Sequence, residues 1–359
     1  MYQLGETHRF EYPGSPYCNA LEEIRARNEE TPLREGAYLE SDGLSLYTTS
    51  PRRNEVRNAS RPCIPDLLER GVNLRLRVIE PIQTGTDRLS QVWRCTYSSL
   101  NHQGSEESSV VILKLFQESL RFIPHESLID YIPVEEDITR ESHAYQQLRG
   151  LQGSILPYSY GFYNFTLPCG EIVVGHVMEF ISGDQLDKRA KDSVHDLGEL
   201  QRLYISTLSA FHTLRQNEVR HGDVKLRNIM AHSPPGMDPP EIVLVDFGSS
   251  RIFTDTPLTK ECLCRDIDNL LWACLDVPEL ARAARTWIVT HLNDPMLEGL
   301  NYEVRPFEPS CYNEDDRPII VRSEKKFVIP AVSNTEEVPD ESKEPFSGIW
   351  TQQFSTRWS

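Results

Sequence analysis

The sequence contains no long hydrophobic run, and its first residues lack the pattern of a secretory leader. A membrane-spanning helix needs about 20 predominantly apolar residues, and no stretch of this chain approaches that length. Its first residues, MYQLGETHRFEYPGS, have neither the basic region nor the apolar region of a signal peptide. We therefore expect an intracellular protein, cytoplasmic or nuclear, without a membrane partner.

Paired cysteines and clustered basic residues are also missing. The eight cysteines are scattered without C-x-x-C spacing, which argues against a zinc knuckle or a disulfide framework and predicts reduced thiols. The net charge is −17, and a charge of this sign repels the phosphate backbone of nucleic acids. The sequence therefore predicts no nucleic-acid partner.

Composition divides the 359 residues into three zones. Residues 1–71 are polar and proline-rich, and we interpret them as an N-terminal extension outside the core. Residues 72–181 carry short runs of Val, Ile and aromatic residues around one helical stretch, which predicts an antiparallel sheet with a helix. Residues 182–300 are mostly helical, with a predicted buried stripe of Leu197, Leu200, Tyr204, Leu208 and Phe211. Residues 301–359 are acidic and proline-rich, which predicts a partly disordered tail, although IIVRSEKKFVI within it has strand-like runs.

Two segments carry the chemistry of phosphoryl transfer. They read HGDVKLRNIM at His221–Met230 and IVLVDFGSS at Ile242–Ser250. The transfer needs an acidic group beside the attacking hydroxyl, oxygen ligands for a metal ion, and positive charge near the transferred phosphate. The two segments contain all three kinds of group.

Each residue type in these segments suits one role. Asp223 can orient the hydroxyl and accept its proton, and Lys225 can neutralise charge on the γ-phosphate. Asn228 and Asp246 offer oxygen atoms to Mg²⁺. Gly248 permits a sharp turn after the β-branched run that ends before Asp246. The residues thus indicate a site for ATP and Mg²⁺.

At these residues the sequence resembles the eukaryotic protein kinase-like superfamily. The family's catalytic loop is H-R-D-x-K-x-x-N and its metal motif is D-F-G, where this chain has HGDVKLRN and DFG, with Asp223 and Asp246 23 positions apart. The resemblance implies an α+β, two-lobed fold over residues 72–300. The N-lobe, 72–181, would be a small antiparallel sheet with one helix, and the C-lobe, 182–300, mainly helical and truncated.

The resemblance also implies the roles of individual residues. It assigns catalysis to Asp223 and Lys225 and metal binding to Asn228 and Asp246. The residues that would support the site are His221, Phe247, Gly248 and Asp266, the last at the start of a large helix. The implied cofactors are ATP and Mg²⁺, and the implied partner is an unidentified protein substrate or binding protein.

The upstream half fits the same family. Lys114, in the strand SVVILKLF, matches the lysine that holds the α- and β-phosphates. Its expected helix partner is a glutamate, and we choose Glu141 over Glu135 and Glu136. Glu141 shares a face with the apolar residues of the helix, whereas the other two belong to the first turn, where acidic residues favour the helix dipole.

The segment VVGHVMEFISGDQL resembles the hinge between the two lobes of a kinase. The resemblance places Met178 at the gatekeeper position and turns the backbone of Glu179 and Ile181 towards the adenine ring. Of the family's Gly-rich phosphate loop only Gly85 is present, in EPIQTGTDRLSQVW, so the phosphate cover is degenerate.

Two further departures bear on activity. Gly222 replaces the arginine that would pair with a phosphorylated activation loop, so we expect any activity to be independent of that phosphorylation. The A-P-E motif is missing before Asp266, which leaves a short activation segment. A Ser/Thr protein kinase is the favoured interpretation. A pseudokinase that binds nucleotide or acts as a scaffold is the alternative, and a small-molecule kinase is the third.

Overall fold

The protein is represented by a computed structural model, and its two compact units are described separately. The first covers residues 1–287 and 293–300, and the second covers 288–292 and 301–359. The structure describes residues 16–44, 61–68, 74–86, 88–100, 106–121, 133–233, 240–253, 260–291, 294–297, 302–305, 321–323 and 326–330.

Strands predominate up to Glu179 and helices predominate from Leu186 to Thr290, as the composition predicts. The helices are α1 (Pro16–Glu30), α2 (Pro65–Leu68), α3 (Val134–Gln147), α4 (Leu186–Asp192), α5 (Leu197–Gln216), α6 (Lys260–Cys274) and α7 (Pro278–Thr290). The strands of the first half are β1 (Tyr38–Leu44), β2 (Arg75–Gln83), β3 (Gln91–Leu100), β4 (Glu106–Phe116), β5 (Ser159–Thr166) and β6 (Ile172–Glu179). The later strands are β7 (Asp184–Gln185), β8 (Val219–Arg220), β9 (Ile229–His232), β10 (Glu241–Leu244), β11 (Arg251–Ile252), β12 (Tyr302–Arg305), β13 (Val321–Ser323) and β14 (Lys326–Pro330).

The first six strands form a closed antiparallel barrel in the order β1-β2-β3-β4-β6-β5. The longest pairing joins β3 to β4, from Gln91↔Leu115 to Leu100↔Glu106. Apolar side chains that alternate along these strands point inward and make one core, which includes Leu76, Val78, Leu113, Tyr163, Phe165 and Val177. This period-2 burial is why the sequence predicts an antiparallel sheet.

The strand β1 corrects the interpretation of residues 1–71 as an extension outside the core. It pairs with β2 at Tyr38↔Arg77 and with β5 at Ser41↔Phe165. Leu39 therefore lies in the barrel core. The pattern YLESDGL is short and polar, so its hydrophobicity gave no sign of a strand. The strand forms because β1 pairs with the edges of β2 and β5, which would otherwise expose unpaired backbone donors and acceptors.

Helix α3 packs against the barrel through one face. Val134 and Ile138 contact Phe116 and Phe162 in a small apolar cluster, and Glu141 lies on the same buried face. The first turn contains three acidic residues, which interact favourably with the positive end of the helix dipole. The helix thus brings one carboxylate to the barrel surface while the rest face solvent or neighbouring loops.

Helices and short hairpins make up the remainder of the first unit. Asp196 caps α5, with its Oδ1 atom 2.8 Å from the amide nitrogen of Glu199. The predicted apolar stripe of α5 is buried, except that Leu197, at the first helical position, is 41% exposed. Strands β9 and β10 pair antiparallel from His232↔Glu241 to Ile229↔Leu244, and β8 pairs with β11.

The second unit contains a three-stranded sheet in the order β12-β14-β13. Strand β14 is parallel to β12 and antiparallel to β13. These strands occupy part of the tail for which the sequence predicts partial disorder, and β13 and β14 fall on the strand-like runs of IIVRSEKKFVI. The other residues of 301–359 lie outside the described part of the chain. Among the described helices, none combines the length and apolar character that a membrane crossing requires.

Candidate active site

Lys114 on β4 is the centre of a buried ionic cluster. Its ammonium group binds the Oε2 atom of Glu141 on α3 and lies 2.6 Å from the Oδ1 atom of Asp246, two residues after β10. Burial alone would lower the pKa of Lys114, but the charges of Asp246 and Glu141 outweigh it and raise the pKa above its ordinary value. The lysine is therefore charged at neutral pH and links three separate elements of the chain.

Both carboxylates of the cluster are ionised as well. Burial would raise the pKa of Glu141, but the charge of Lys114 and a hydrogen bond from His176 hold it below the usual range. Burial likewise opposes ionisation of Asp246, and the charge of Lys114 and its hydrogen bond lower that pKa. The Asp246 side chain is 41% exposed, so part of it stays accessible to a ligand.

Glu141 is distinguished from the other candidate glutamates by its position on the helix. Its side chain is 1% exposed, whereas Glu136 is exposed and pairs with Arg140 one turn along. Glu135 lies in the first turn with Glu136. Glu141 therefore reaches Lys114 because it lies on the same face of α3 as the buried apolar residues.

The segment around Asp246 has an unusual backbone. Asp246 has a φ of +67°, a left-handed conformation that L-residues adopt at a cost. The next residue, Phe247, is fully buried, with its ring centroid 4.7 Å from that of His221 and 5.6 Å from that of Tyr145. The buried ring anchors the turn, and the aspartate beside it points towards Lys114.

The loop after β8 gathers a second group of polar residues. Lys225 Nζ lies 2.7 Å from Asp223 Oδ1. The side-chain nitrogen of Asn228, Nδ2, donates to the backbone carbonyl oxygen of Asp223 at 2.9 Å and to the Asp223 Oδ2 atom at 3.1 Å. The Asn228 backbone carbonyl accepts a hydrogen bond from Val245 N at 3.0 Å. Since Val245 precedes Asp246, the two candidate metal ligands lie on neighbouring strand ends.

Asp266 on α6 holds the start of this loop. Its carboxylate accepts hydrogen bonds from the backbone amides of His221 and Gly222, the latter at 3.2 Å. His221 Nε2 lies 3.0 Å from the carbonyl oxygen of Val245. One buried carboxylate and one buried imidazole therefore fix the loop against both α6 and the strand that leads to Asp246.

Gly222 is required by the backbone, a reason that the comparison of motifs did not reveal. It has a φ of +83°, and a Cβ atom placed there would lie 2.1 Å from the carbonyl oxygen of Ser249. Real Cβ contacts never approach so closely. An arginine at this position is therefore incompatible with this path of the chain, apart from any question of charge.

The residues that the sequence predicts to form a hinge lie at the end of β6 and just after it. Met178 and Ile181 are each 6% exposed, and the Glu179 side chain binds Arg61 with Nε 2.7 Å from Oε1. A Cβ atom at Gly183 would lie 2.4 Å from the carbonyl oxygen of Ala231, so the chain can leave the hinge beside β9 only with glycine there. The hinge is thus tightly packed on its outer side.

Gly85 lies between β2 and β3, in the segment predicted to cover the phosphates, but its amide is already bound. The Gly85 N–H donates to Gln91 Oε1 at 2.8 Å, and Gln91 Nε2 donates back to the Gly85 carbonyl oxygen at 3.0 Å. Gln91 is buried at 3% exposure. This reciprocal pair takes up the backbone group that a Gly-rich loop offers to phosphate.

The donor set suits magnesium only when phosphate oxygens complete it. Within the described residues, no cluster of three or more His, Cys, Asp or Glu is arranged to hold a metal by itself. Asp246 keeps a carboxylate oxygen beyond the one bound to Lys114, and Asn228 keeps its side-chain oxygen. Mg²⁺ commonly takes one or two protein oxygens and fills its remaining positions with phosphate and water, so these residues fit the ion.

Three residues of the site area were missed by sequence reasoning. They are Arg61, Ser159 and His176, which bind Glu179, His176 and Glu141 respectively. His176 is directly opposite Lys114 in the pairing of β4 with β6, a register that cannot be read from the sequence. No sequence pattern indicated Arg61. Its acidic partner Glu179 lies 118 positions away along the chain, and its other partners include backbone carbonyl groups, which any residue carries.

A buried lysine bound to two carboxylates, beside a loop that carries Asp223 and Asn228, is the arrangement of a kinase-like phosphotransferase. Residues 123–266 match the family model described as Protein kinase domain, which is less than half of the 359-residue chain. The chain therefore contains a protein kinase-like domain. The matched range ends at Asp266 and leaves out Lys114 and Gly85, whose assignment depends on the geometry above. The comparison with curated proteins found no match.

Proposed function

We propose that this chain is a Mg·ATP-dependent protein kinase that transfers the γ-phosphate to a Ser or Thr hydroxyl. The observation that carries the proposal is the simultaneous binding of Lys114 to Glu141 and Asp246. Protein kinases require both the lysine–glutamate pair and the D-F-G aspartate to be in place for transfer. Two buried charges and one partly exposed carboxylate thus lie in the arrangement that phosphate transfer requires.

Each residue has a defined task in this proposal. Lys114, oriented by Glu141, binds the α- and β-phosphates. Asp246 and Asn228 hold Mg²⁺, which neutralises charge on the phosphates when it is bound. Asp223 orients the substrate hydroxyl and accepts its proton, and Lys225, 2.7 Å from Asp223, stabilises the transferred group.

The adenine ring lies against the hinge in the same proposal. The backbone of Glu179 and Ile181 faces the base, and Met178 lies behind it as the gatekeeper. The barrel, made of β1 and residues 72–181, acts as the N-lobe and residues 182–300 as the C-lobe, with the cleft between them formed at β6. The fixed side chain of Glu179 supports this assignment, because it leaves the backbone of the hinge with one orientation.

The pseudokinase is favoured by one observation, the hydrogen bonds between Gly85 and Gln91. They remove a phosphate-binding amide, so the chain would bind nucleotide without transferring phosphate. A small-molecule kinase is favoured by the short stretch between Gly248 and α6, which begins at Lys260. That stretch offers little room for a docked peptide.

Thermal unfolding with and without Mg·ATP tests the nucleotide site. Any ligand that prefers the folded state raises the melting temperature, so the wild type should show a shift that EDTA abolishes. Lys114→Met and Asp246→Asn should each reduce it. Lys188→Met is the matched control, because that lysine is 67% exposed and pairs with Asp184 on the surface.

Transfer of radiolabelled phosphate separates the three candidates. A Ser/Thr kinase labels generic protein substrates, and Asp223→Asn abolishes the labelling while the nucleotide-dependent shift persists. A shift in the wild type without any labelling would favour the pseudokinase, and labelling of small hydroxylated compounds alone would favour the third candidate. No shift at millimolar Mg·ATP would refute the ATP site.

A further inference from the structure

We propose that His176 is a positioning residue that holds Glu141 in the orientation in which it binds Lys114. The inference rests on the proposed kinase function and adds a residue to it. His176 is completely buried and lies on β6, two residues before the proposed gatekeeper. Glu141 therefore has a fixed partner on each of its two oxygens.

The contacts of the imidazole form one continuous line. His176 Nδ1 lies 2.8 Å from Glu141 Oε1, and His176 Nε2 lies 2.8 Å from the hydroxyl oxygen of Ser159 on β5. The other carboxylate oxygen of Glu141 binds Lys114, which reaches Asp246. Five side chains from five elements of the first unit are thus connected in series.

Strand register explains why the histidine and the lysine reach the same carboxylate. Lys114 of β4 and His176 of β6 are direct cross-strand partners. Residues directly opposite in an antiparallel pair project from the same face of the sheet, and here that face is covered by α3. The glutamate of α3 consequently meets both side chains.

The charges assign the donors and acceptors in this line. A carboxylate can only accept hydrogen bonds, so Nδ1 must carry a proton. Burial lowers the pKa of His176 below its ordinary value, which makes the ring neutral and leaves Nε2 as an acceptor. Ser159 therefore donates its hydroxyl proton to Nε2, and this hydrogen bond selects the tautomer that serves Glu141.

Aromatic rings hold the imidazole in its plane. Phe162 stacks on His176 with a centroid distance of 4.1 Å and an interplanar angle of 10°. Tyr145 approaches the ring edge-on at 4.8 Å. Rotation of the imidazole would lose both contacts as well as two hydrogen bonds, so the donor to Glu141 is rigid before any nucleotide binds.

The consequence concerns how the lysine–glutamate pair is kept together. In this chain α3 is held against the barrel by a hydrogen bond from β6 to the same carboxylate that binds Lys114. An apolar side chain at position 176 would leave Glu141 Oε1 buried without a donor, which costs more than an ordinary hydrogen bond contributes. The carboxylate would then turn or α3 would move, and Lys114 would lose its orientation towards the phosphates.

The test compares His176→Leu with His176→Asn, whose amide nitrogen can replace Nδ1 as donor. We expect His176→Leu to lower kcat for phosphate transfer by about tenfold or more, a loss of ~1.4 kcal/mol in transition-state stabilisation, with a smaller effect on the Kd of Mg·ATP. His176→Asn should recover most of the rate. His143→Leu, an exposed position on α3, is the control and should match the wild type.

Two additional measurements keep the outcome decisive. Ser159→Ala removes only the hydroxyl that selects the tautomer, so it should lower kcat, but by less than His176→Leu. It takes the place of His176→Leu if that variant folds poorly. In ¹⁵N-histidine spectra, the signals missing in His176→Asn should show a protonated Nδ1 and an unprotonated Nε2. The spectra need no activity, so they test the positioning role even if the wild type transfers no phosphate.

The opposite results would overturn the proposal. One is a protonated Nε2 with a bare Nδ1. Another is an unchanged kcat in folded His176→Leu, and a third is an Asn variant no better than the Leu variant while both give the circular dichroism spectrum of the wild type. Absence of nucleotide binding in the wild type would instead count against the proposed function.

Discussion

Arg61 forms a buried ion pair with Glu179, with Nε 2.7 Å from Oε1 and side chains 5% and 10% exposed. The other guanidinium nitrogens donate to the carbonyl oxygens of Ser154 at 2.6 Å and Leu156 at 2.8 Å. The Nη1 atom also forms an ion pair with Glu241, 2.9 Å from its Oε2 atom. A residue from the N-terminal zone therefore connects the end of β6, the loop before β5 and the start of β10.

Replacing Arg61 by alanine should destabilise the protein strongly. The substitution leaves two buried carboxylates, Glu179 and Glu241, without their cation, and breaking one partner of a buried ion pair costs about 3–5 kcal/mol. Urea denaturation should show this loss as a lower midpoint at an unchanged slope. Arg75→Ala is the control, since Arg75 pairs with Glu40 at the surface with both side chains more than half exposed, and it should change the free energy of unfolding by less than about 1 kcal/mol. A similarly small effect of Arg61→Ala would contradict the buried clamp.

Gly222→Ala should cost more than a left-handed backbone alone explains. Gly36 has a φ of +82° with nothing within 4 Å of an added Cβ, whereas Gly222 has a φ of +83° and the Ser249 carbonyl oxygen at 2.1 Å. Gly36→Ala should therefore cost about 1–2 kcal/mol, the strain of an L-residue in this region. Gly222→Ala should add the cost of displaced backbone, a further ~1–3 kcal/mol, and should impair phosphate transfer. Equal losses in urea denaturation would show that the segment after Gly248 moves aside without cost.

The stability of the protein should fall in mild acid because of His176. Its ring faces Glu141 and Tyr145 from α3, Lys114 from β4 and Ser159 from β5, and its pKa lies below the ordinary value. As pH falls below about 6.5, the unfolded chain takes up a proton that the folded state does not, so the free energy of unfolding decreases. Glu141, with its lowered pKa, adds a loss only at lower pH, which begins as pH falls through the range of an ordinary glutamate, about 4.3, and continues down to the lowered pKa.

His176→Asn removes this proton uptake. Between pH 7.0 and 5.5 the wild type should lose about 1 kcal/mol more than His176→Asn, measured by urea denaturation at both pH values. His143→Asn, in which an exposed histidine is removed, should keep the pH dependence of the wild type. Parallel curves for the wild type and His176→Asn would mean that the buried ring takes up its proton over the same pH range as a histidine of the unfolded chain, which would contradict the lowered pKa.

Activity should not depend on phosphorylation of the segment after the D-F-G motif. Of the candidate acceptors, Ser250 is buried and donates its hydroxyl to the Arg140 carbonyl oxygen at 3.1 Å, so it serves the fold. The others are Ser249 and the threonines at 254, 256 and 259, and of these four only the threonines lie outside the described residues. Changing these four to alanine, or treating the protein with phosphatase, should leave turnover of ATP within about tenfold, or ~1.4 kcal/mol. A larger loss with an intact fold would show that a loop phosphate is needed after all.

The polar residues of the proposed site could be predicted from the sequence because the chemistry of phosphoryl transfer restricts both residue type and spacing. Asp223, Lys225 and Asn228 come from one loop, and a local backbone largely determines how they lie together. The choice of Glu141 needed only the periodicity of one helix. Alternating hydrophobicity likewise predicted the antiparallel sheet, since period-2 burial is a local property.

Only the tertiary structure decided the features that depend on distant segments. The closure of the barrel by β1, the clamp of Arg61 and the line from Ser159 through His176 to Glu141 join residues far apart in the chain. Gly222 belongs with them, because its need for glycine comes from the Ser249 carbonyl oxygen. Composition and spacing determine which chemistry the chain can perform, whereas burial and backbone approach, which arise only when distant elements pack, determine what holds that chemistry in place.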